Sequence, residues 1–521
     1  MRLPRIDDDI LLSLAVVIAL IAIASFISVY VYGRFAKRAR GTPSHCLPIG
    51  GAVTQADAAV APLTEARPGE TGIIVLGGNC DAFAARALSA AAAGRSLDMM
   101  YYLWRGDLTG GLLVGQVLAA ADRGVRVRLL LDDINTRGLD PEYLALSGHP
   151  RIEVRLFNPA KNRVTSLRRG VEMLLRLLSV TRRMHNKAWI VDGRVAIIGG
   201  RNIGDTYFDA ARDANSSDMD AALVGPSVAA VEEIFDTYWN SPLTLPIRSL
   251  WKNRASNLVD FRAGLARRAR SAPVRDYLAR ARGDETLAQF LDGRLPIVWS
   301  DAARILSDPP AKTQRGERDR WLINVLMPTI AAAERHVKVT TAYFVPGSEG
   351  VEGLCRLTGR GVSVSVLTNS LASTNQVTVH GGYSEARPKL LKCGTRLYEL
   401  RPTDADRAKS SLFGSDAATL HAKNFSVDGR IGFIGSFNFD LRSAYLNTEM
   451  GLLIEDAEIA AAIDAVFVDE TSERKSYEVF LEGAALRWRD GGRIVDREPD
   501  ATRMRLAIAA VVRHLPIKRQ L

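Results

Sequence analysis

The sequence predicts an α/β protein of two similar α/β/α sandwich domains, packed face to face behind one N-terminal transmembrane helix. Three observations predict it. HNKAWIVDGRVAIIGGRN (185–202) recurs as HAKNFSVDGRIGFIGSFN (421–438). The segments leading to each copy recur as well: GVRVRLLLDD (124–133) as GVSVSVLTNS (361–370), RIEVRLFN (151–158) as GTRLYELR (394–401), and SLDMMYYLW (96–104) more loosely as HVKVTTAYFV (336–345). Finally, Ile10 to Tyr32 are 23 residues without a charge, enough at about 1.5 Å per residue to cross a hydrocarbon core.

The elements follow in chain order. Residues 1–40 are the anchor and its basic flank. Arg34, Lys37, Arg38 and Arg40 follow the apolar run, whereas Arg2 and Arg5 before it are offset by Asp7, Asp8 and Asp9. The positive-inside bias puts a single-pass protein in the inner (plasma) membrane with its C-terminal side in the cytoplasm. A linker spans 41–71, the first domain 72–244 and the second 331–485, each reading strand, helix, strand, helix, strand and then a hairpin. Residues 245–330 interrupt the repeat; their Ala/Arg-rich composition predicts a helical bridge. Residues 486–521 close the chain, with a basic amphipathic stretch at 503–521. Roughly 480 residues after the anchor suit two domains rather than one.

Within each motif, β-branched runs flank Asp192-Gly193 and Asp428-Gly429, the strongest short signal for a hairpin. His185 and Lys187, like His421 and Lys423, are then i and i+2 on one strand and share a face. Asn202 and Asn438, at the end of each second strand, return to them. Five fixed positions match by chance on the order of once in ten million start sites, and here they match twice. Imidazole, ammonium and carboxamide in duplicate suit attack on an anionic phosphodiester. Lys187 and Lys423 neutralise charge, and Asn202 and Asn438 donate to non-bridging oxygens. One histidine attacks phosphorus while the other protonates the leaving oxygen and later deprotonates the acceptor. Asp192 and Asp428, counted among the candidate site residues, are explained by hairpin-tip geometry. Ser436 stands where the first copy has Gly200, and its hydroxyl could donate to phosphate. An acid fixing each imidazole's tautomer is expected from Glu449 and, by alignment of SSDMDAALVG with LNTEMGLLIE, from Asp218, with Asp220 as the alternative.

The paired His-Lys-Asp motifs resemble the phospholipase D superfamily at every named position. YYLWRGDLTGGLL (101–113), GGRNIGDTYFDA (199–210) and GSFNFDLRSAYLNTEMG (435–451) are narrower, and resemble the third type of bacterial cardiolipin synthase, over roughly residues 72–521. The resemblance implies two phospholipase D-like domains and metal-independent transfer of a phosphatidyl group onto phosphatidylglycerol. It also implies His185 as nucleophile, His421 as acid and base, and phosphatidylethanolamine as a possible donor. Hydrolysis to water would use the same residues. A nuclease of the superfamily and a lipid-binding scaffold are the other readings.

A formal net charge of +10 fits nucleic acid or an anionic membrane equally. The basic amphipathic stretches 161–183 and 503–521 favour the membrane surface as partner and lack the interleaved aromatics of nucleic-acid platforms. No cofactor or metal is expected: Cys46, Cys80, Cys355 and Cys393 show no ligand spacing and are read as buried thiols. His380 and Tyr383, after a strand of the second half, resemble a family loop, with a structural histidine the equal alternative.

Overall fold

The computed structural model describes residues 8–163, 165–211, 215–251, 257–291, 293–402 and 420–513. The last residues of the expected C-terminal stretch therefore lie outside the described residues. In the first half the strands are β1 (Thr71–Leu76), β2 (Ser96–Tyr101), β3 (Arg126–Asp132), β4 (Ile152–Phe157), β5 (Ala188–Val191), β6 (Val195–Gly199), β7 (Asp220–Val224), β8 (Thr244–Pro246) and β9 (Val298–Ser300). In the second they are β10 (Ala303–Ser307), β11 (His336–Thr341), β12 (Phe344–Val345), β13 (Ser363–Asn369), β14 (Arg396–Leu400), β15 (Lys423–Val427), β16 (Ile431–Gly435), β17 (Phe439–Asp440), β18 (Met450–Glu455), β19 (Ser476–Glu482), β20 (Ala485–Asp490) and β21 (Arg493–Val495).

Among the described residues, one large sheet runs β8-β4-β3-β2-β5-β6-β7-β1-β9 and a second β10-β18-β16-β15-β11-β13-β14-β19-β20-β21, with β12 and β17 paired in a short third. Read from β4 to β1 and from β14 to β10, the two orders are the same, with parallel β2, β3, β4 matching parallel β11, β13, β14. Helices such as Leu108–Asp122 and Val377–Lys392 pack on the parallel strands β3 and β14, in which apolar Val127, Leu129 and Leu397 alternate with Arg126, Arg128 and Arg396.

Each Asp-Gly turns its hairpin with both residues at positive φ, 54° and 69° in the first half, 55° and 66° in the second. That is the twist a two-residue hairpin loop needs. The same aspartates do a second job. Asp192 accepts from the backbone N–H groups of Gly94, Arg95 and Ser96 at 2.7–2.9 Å, and Asp428 from those of Glu334, Arg335 and His336 over the same range. Each clamps its hairpin tip to the start of the neighbouring central strand, which fixes how far along that strand the His-Lys pair lies.

Each half has its own core, one around Leu97, Leu129, Trp189 and Leu113, the other around Val339, Val366, Phe425 and Leu390. A third cluster belongs to both: Met100, Ile198 and Ala221 pack with Ile434, Met450 and Leu452. At about 1.5–3 kcal/mol per buried large aliphatic side chain, this shared core holds the two sheets in one fixed relationship.

Three expectations differ from the structure. The segment 41–71, expected as a linker, is packed on the first domain: Thr42 O accepts from Arg155, Ser44 O from Arg128, and Gln55–Glu65 is a capped helix. The bridge is helical over Leu258–Ala269, Ala272–Arg282 and Glu285–Leu291, but then β9 pairs with β1 and β10 with β18, stitching one strand into each sheet. Cys355 and Cys393 are not separate thiols. Their Cα atoms are 5.4 Å apart and their sulfurs are bonded, because the helices Gly347–Gly359 and Val377–Lys392 lie side by side.

The two basic stretches also differ. The helix Ser166–Leu175 is turned opposite to a basic helix on a membrane: Arg169, Glu172 and Arg176 are buried, while Leu167 is 78% and Leu174 68% exposed. Arg169 is drawn inward to Asp133, Arg176 at the helix end to Glu172, and the preceding Arg163 to Asp133 and Asp140, while Arg168 stays exposed. In the C-terminal helix Arg503–Arg513, Ala509 and Val512 are buried against the Val377–Lys392 helix, and Arg505 caps the carbonyls of Leu371, Ala372 and Thr374. That apolar face is covered by protein. The N-terminal helix Asp8–Ala39 is exposed over its apolar window and long enough to cross a membrane by length and composition.

Candidate active site

The two histidines sit where the halves meet, and backbone from the opposite half holds each. His185 does not lie within β5 but just before it, where its N–H donates to Thr448 O at 2.9 Å and Thr448 N–H donates back to Arg183 O. His421 N–H donates to Ser217 O at 2.8 Å. Next to each of these bridging residues is a carboxylate. His185 Nδ1 lies 2.7 Å from Glu449 Oε2, and His421 Nδ1 lies 2.6 Å from Asp218 Oδ2. Each half thus supplies the acid for the other half's imidazole. Asp220, the alternative, is engaged instead by Arg86 at 2.8 Å and Arg201 at 3.4 Å.

A carboxylate accepting from Nδ1–H fixes the tautomer that leaves the lone pair on Nε2. Burial brings His185 down to about 4 against the opposing pull of Glu449, and His421 down to about 3 with Lys423 adding to the effect. Burial pushes Glu449 and Asp218 up, but His185 and Lys187 beside the one, and His421 and Lys423 beside the other, more than offset it. The resting pairs are therefore neutral imidazole with ionised carboxylate.

Lys187 Nζ donates to His185 O at 2.6 Å, and Lys423 Nζ donates to His421 O. Both ammonium groups are about 1% exposed. Burial takes Lys423 down to about 8 and Lys187 well below its ordinary value. Glu449, Asp218 and Asp220 hold both lysines against that cost of burial, while Lys423 acts on Lys187 as a like charge. Asn202 Oδ1 accepts from Leu103 N–H at 3.2 Å and its amide donates to Tyr207 at 3.2 Å, while Asn438 is buried with Oδ1 unpartnered.

Ser436 is not directed at a phosphate. Its Oγ donates to Glu449 Oε2 at 2.6 Å and accepts from Met450 N–H at 3.0 Å. Ser443 holds the other oxygen at 2.8 Å, and Asp308, ion-paired with the fully buried Lys312, accepts from the Glu449 N–H. The first half solves the same problem with a shorter acid. A Cβ at position 200 would meet Asp218 Oδ1 at 2.1 Å, so glycine there is the space the Asp218 carboxylate occupies. Asp308, Lys312 and Ser443 escaped the sequence reading because nothing local marks them. Two aromatic rings also did: Tyr102 lies edge-on to His185 with centroids 4.9 Å apart, and Tyr207 to His421 at 5.0 Å.

His380 and Tyr383 lie on the helix Val377–Lys392, not in a loop. His380 Nε2 is 3.4 Å from Glu498 Oε1, and its ligand atoms come within 4.8 Å of those of Glu399 and Glu498. Arg387 pairs with both of these carboxylates and Trp488 donates to Glu399. A guanidinium supplies the positive charge in this cluster.

Two homologous sandwiches, each lending a His-Lys-Asn set to one shared centre, define a two-domain phospholipase D-type protein. Residues 86–239 and 326–470 each match the family described as "Cardiolipin synthase, PLD-like domain", and the chain belongs to it. It is 42% identical over 417 residues to cardiolipin synthase C of Escherichia coli (strain K12), covering 79% of this chain and 87% of that one. An uncharacterized Helicobacter pylori (strain J99) protein is 33% identical over 396 residues, 73% of this chain and 75% of its own. In fold, the chain is similar to phosphatidylserine synthase of Haemophilus influenzae, with a TM-score of 0.57, 11% identity, and coverage of 86% and 95% respectively.

Proposed function

We propose that the chain is a membrane-bound phosphatidyltransferase, a cardiolipin synthase, acting through a phosphohistidine. The observation that carries this reading is the crossed pair of acids, Glu449 on His185 and Asp218 on His421: each imidazole has a fixed tautomer only when both halves are assembled. In the first step Nε2 of His185 attacks phosphorus, the P–O bond to the donor's head group breaks, and the departing oxygen takes a proton from Nε2 of His421. In the second, the free glycerol hydroxyl of phosphatidylglycerol gives its proton to His421, its oxygen bonds to phosphorus and the N–P bond breaks. His421 needs its proton before the first step; the anionic diester supplies the charge that raises an imidazole otherwise held near 3. Lys187, Lys423, Asn202 and Asn438 stabilise the non-bridging oxygens, whereas Asp192 and Asp428 act through the hairpin alone.

The match to cardiolipin synthase C over most of both chains supports transfer over hydrolysis. Water as acceptor is the second reading, because every residue named serves it equally. Full-length protein in mixed micelles with phosphatidylglycerol, with and without phosphatidylethanolamine, followed by mass spectrometry, tests the proposal. Cardiolipin as product supports it, and phosphatidic acid alone makes the protein a hydrolase. The two mixtures identify the donor. Turnover should persist in EDTA, since the lysine and asparagine pairs provide the electrostatic stabilisation; complete loss restored by one added divalent ion would overturn metal independence.

A further inference from the structure

We propose that the cleft between the Ser166–Leu175 helix and the active site is the groove that admits an acyl chain of a membrane phospholipid, a reading that rests on the proposed lipid transfer. The cleft has a volume of about 370 Å³ and is lined by Tyr102, Ile134, Met173, Leu177, Val180 and Arg183. That volume falls in the ~300–1,000 Å³ range of ligand pockets, and its walls are mostly apolar as such pockets are.

One end of the groove is at the chemistry. The Tyr102 ring that lines it abuts His185 at 4.9 Å, and Arg183 is two residues before that histidine. Arg183 is 3% exposed, yet its Nε is buried without a partner, and its contacts to Asp132 and Asn158 are long, at 3.4 Å. A cation at the inner end of an apolar groove suits an amphiphile that enters tail-outward with a phosphate at its head.

The other end is at the surface that bears the anchor. Arg163, Arg169 and Arg176 are engaged by Asp133, Asp140 and Glu172, and Leu167, Val171, Leu174 and Leu177 are exposed at helical spacing beside the one exposed arginine of the helix, Arg168. A contiguous patch of this kind in water would be a liability. Here it packs beside the apolar N-terminal helix, with the Arg176 guanidinium 3.3 Å from the Tyr32 ring centroid and Lys161 5.1 Å from that of Phe35. The membrane-crossing helix and the leucine face therefore meet the same bilayer, and the groove connects that bilayer to His185. A diacyl lipid could then reach the site without its tails leaving an apolar environment.

The test uses full-length protein in vesicles of phosphatidylglycerol doped with a phosphatidylglycerol carrying a diazirine at one acyl terminus. Photolysis and peptide mapping should find label on 167–180, reduced at least fivefold by excess unlabelled lipid. Label on the N-terminal helix alone, or label that excess lipid does not displace, would overturn the groove. In parallel, Leu174→Lys and Val180→Trp should lower the ratio of turnover on long-chain to short-chain lipid by tenfold or more. The control Val468→Lys, at an exposed position on another helix, should leave the ratio unchanged. An unchanged ratio in both groove variants overturns the proposal, as does conversion of a dimeric wild type to monomer by Leu174→Lys, which would make the leucine face a contact between copies. If the protein transfers no lipid at all, the labelling still decides whether the groove holds acyl chains, so failure of the groove and failure of the transferase reading remain distinguishable.

Discussion

Gly200 and Asp218 occupy complementary space: a Cβ on the glycine would lie 2.1 Å from Asp218 Oδ1, the oxygen beside the one that holds His421. The equivalent pair in the second half is Ser436 and Glu449, where the longer acid leaves room for a hydroxyl that donates to it. The two halves thus reach one result by different side chains. Gly200→Ser, which makes the motifs more alike on paper, should displace Asp218 and cost turnover about 10–100-fold, the range for losing a group that orients a functional imidazole. Ser436→Ala should cost less, since Ser443 still holds Glu449. Steady-state rates with thermal melts check both; a Gly200→Ser enzyme of wild-type turnover would contradict the packing.

Glu449→Gln should be far more damaging than its size suggests. An amide can donate to Nδ1, which moves the proton to Nε2 of His185 and removes the attacking lone pair. Loss of the correct tautomer in a comparable hydrogen-bonded imidazole costs on the order of 10⁴ in rate. Phosphohistidine trapping separates the roles: Glu449→Gln should abolish label on His185. Asp218→Asn should slow turnover while a label formed from a donor with a good leaving group persists. Label on His421 instead would exchange the roles of the histidines.

The repeat, the hairpins and the His-Lys-Asn sets were legible because they rest on local signals: Asp-Gly between β-branched runs, alternation along a strand, recurrence at matched spacing. The crossing of Glu449 to His185 was not. Spacing says how far an acid lies along its own chain, not which of two similar neighbours it will face. The Ser166–Leu175 helix misled for a related reason. Its periodicity gives one apolar and one basic face, but which face turns inward is set by Asp133 and Asp140 on another segment. Buried acid drew Arg163 and Arg169 in. Likewise, Cys355 and Cys393 meet only because two helices pack side by side.

The pH profile of kcat/KM on a soluble short-chain substrate should fall on the alkaline side near pH 8. Burial brings Lys423 to about 8 in the free protein, so as pH rises through that value the site loses a cation that its anionic substrate needs, and kcat/KM reports the free enzyme. The sign follows from the lysine being the charged form at low pH. Lys423→Arg keeps a charge that does not titrate there and should flatten the limb, at whatever reduced rate the guanidinium permits. An alkaline limb left in place by that substitution would assign it to another group.

Topology can be read from the Cys355–Cys393 pair. We propose, from the basic residues after the apolar helix, that the domains face the cytoplasm, where such bonds are kept reduced. Rapid alkylation of intact cells at quench should then find the pair reduced, the bond seen in the structure being the oxidised form that aerobic lysis produces. A bond already present in the cell would put the domains on the outer face.

Truncation separates the anchor from the fold. Removing residues 1–40 should leave a folded protein, because Thr42 and Ser44 remain to accept from Arg155 and Arg128. Removing 1–52 takes away both acceptors, and each buried guanidinium left short of a partner costs about 1–3 kcal/mol, so its melting midpoint should fall clearly below that of the shorter truncation. The 1–40 truncation should still bind vesicles through the exposed leucines of the 167–177 region. Because Arg169 and Arg176 are engaged internally and Arg168 is the one exposed arginine on that helix, most of the binding should survive high salt, as screening acts on charge and not on apolar burial. Binding that vanishes as salt rises would mean exposed cations, not the leucine face, hold the protein to the membrane.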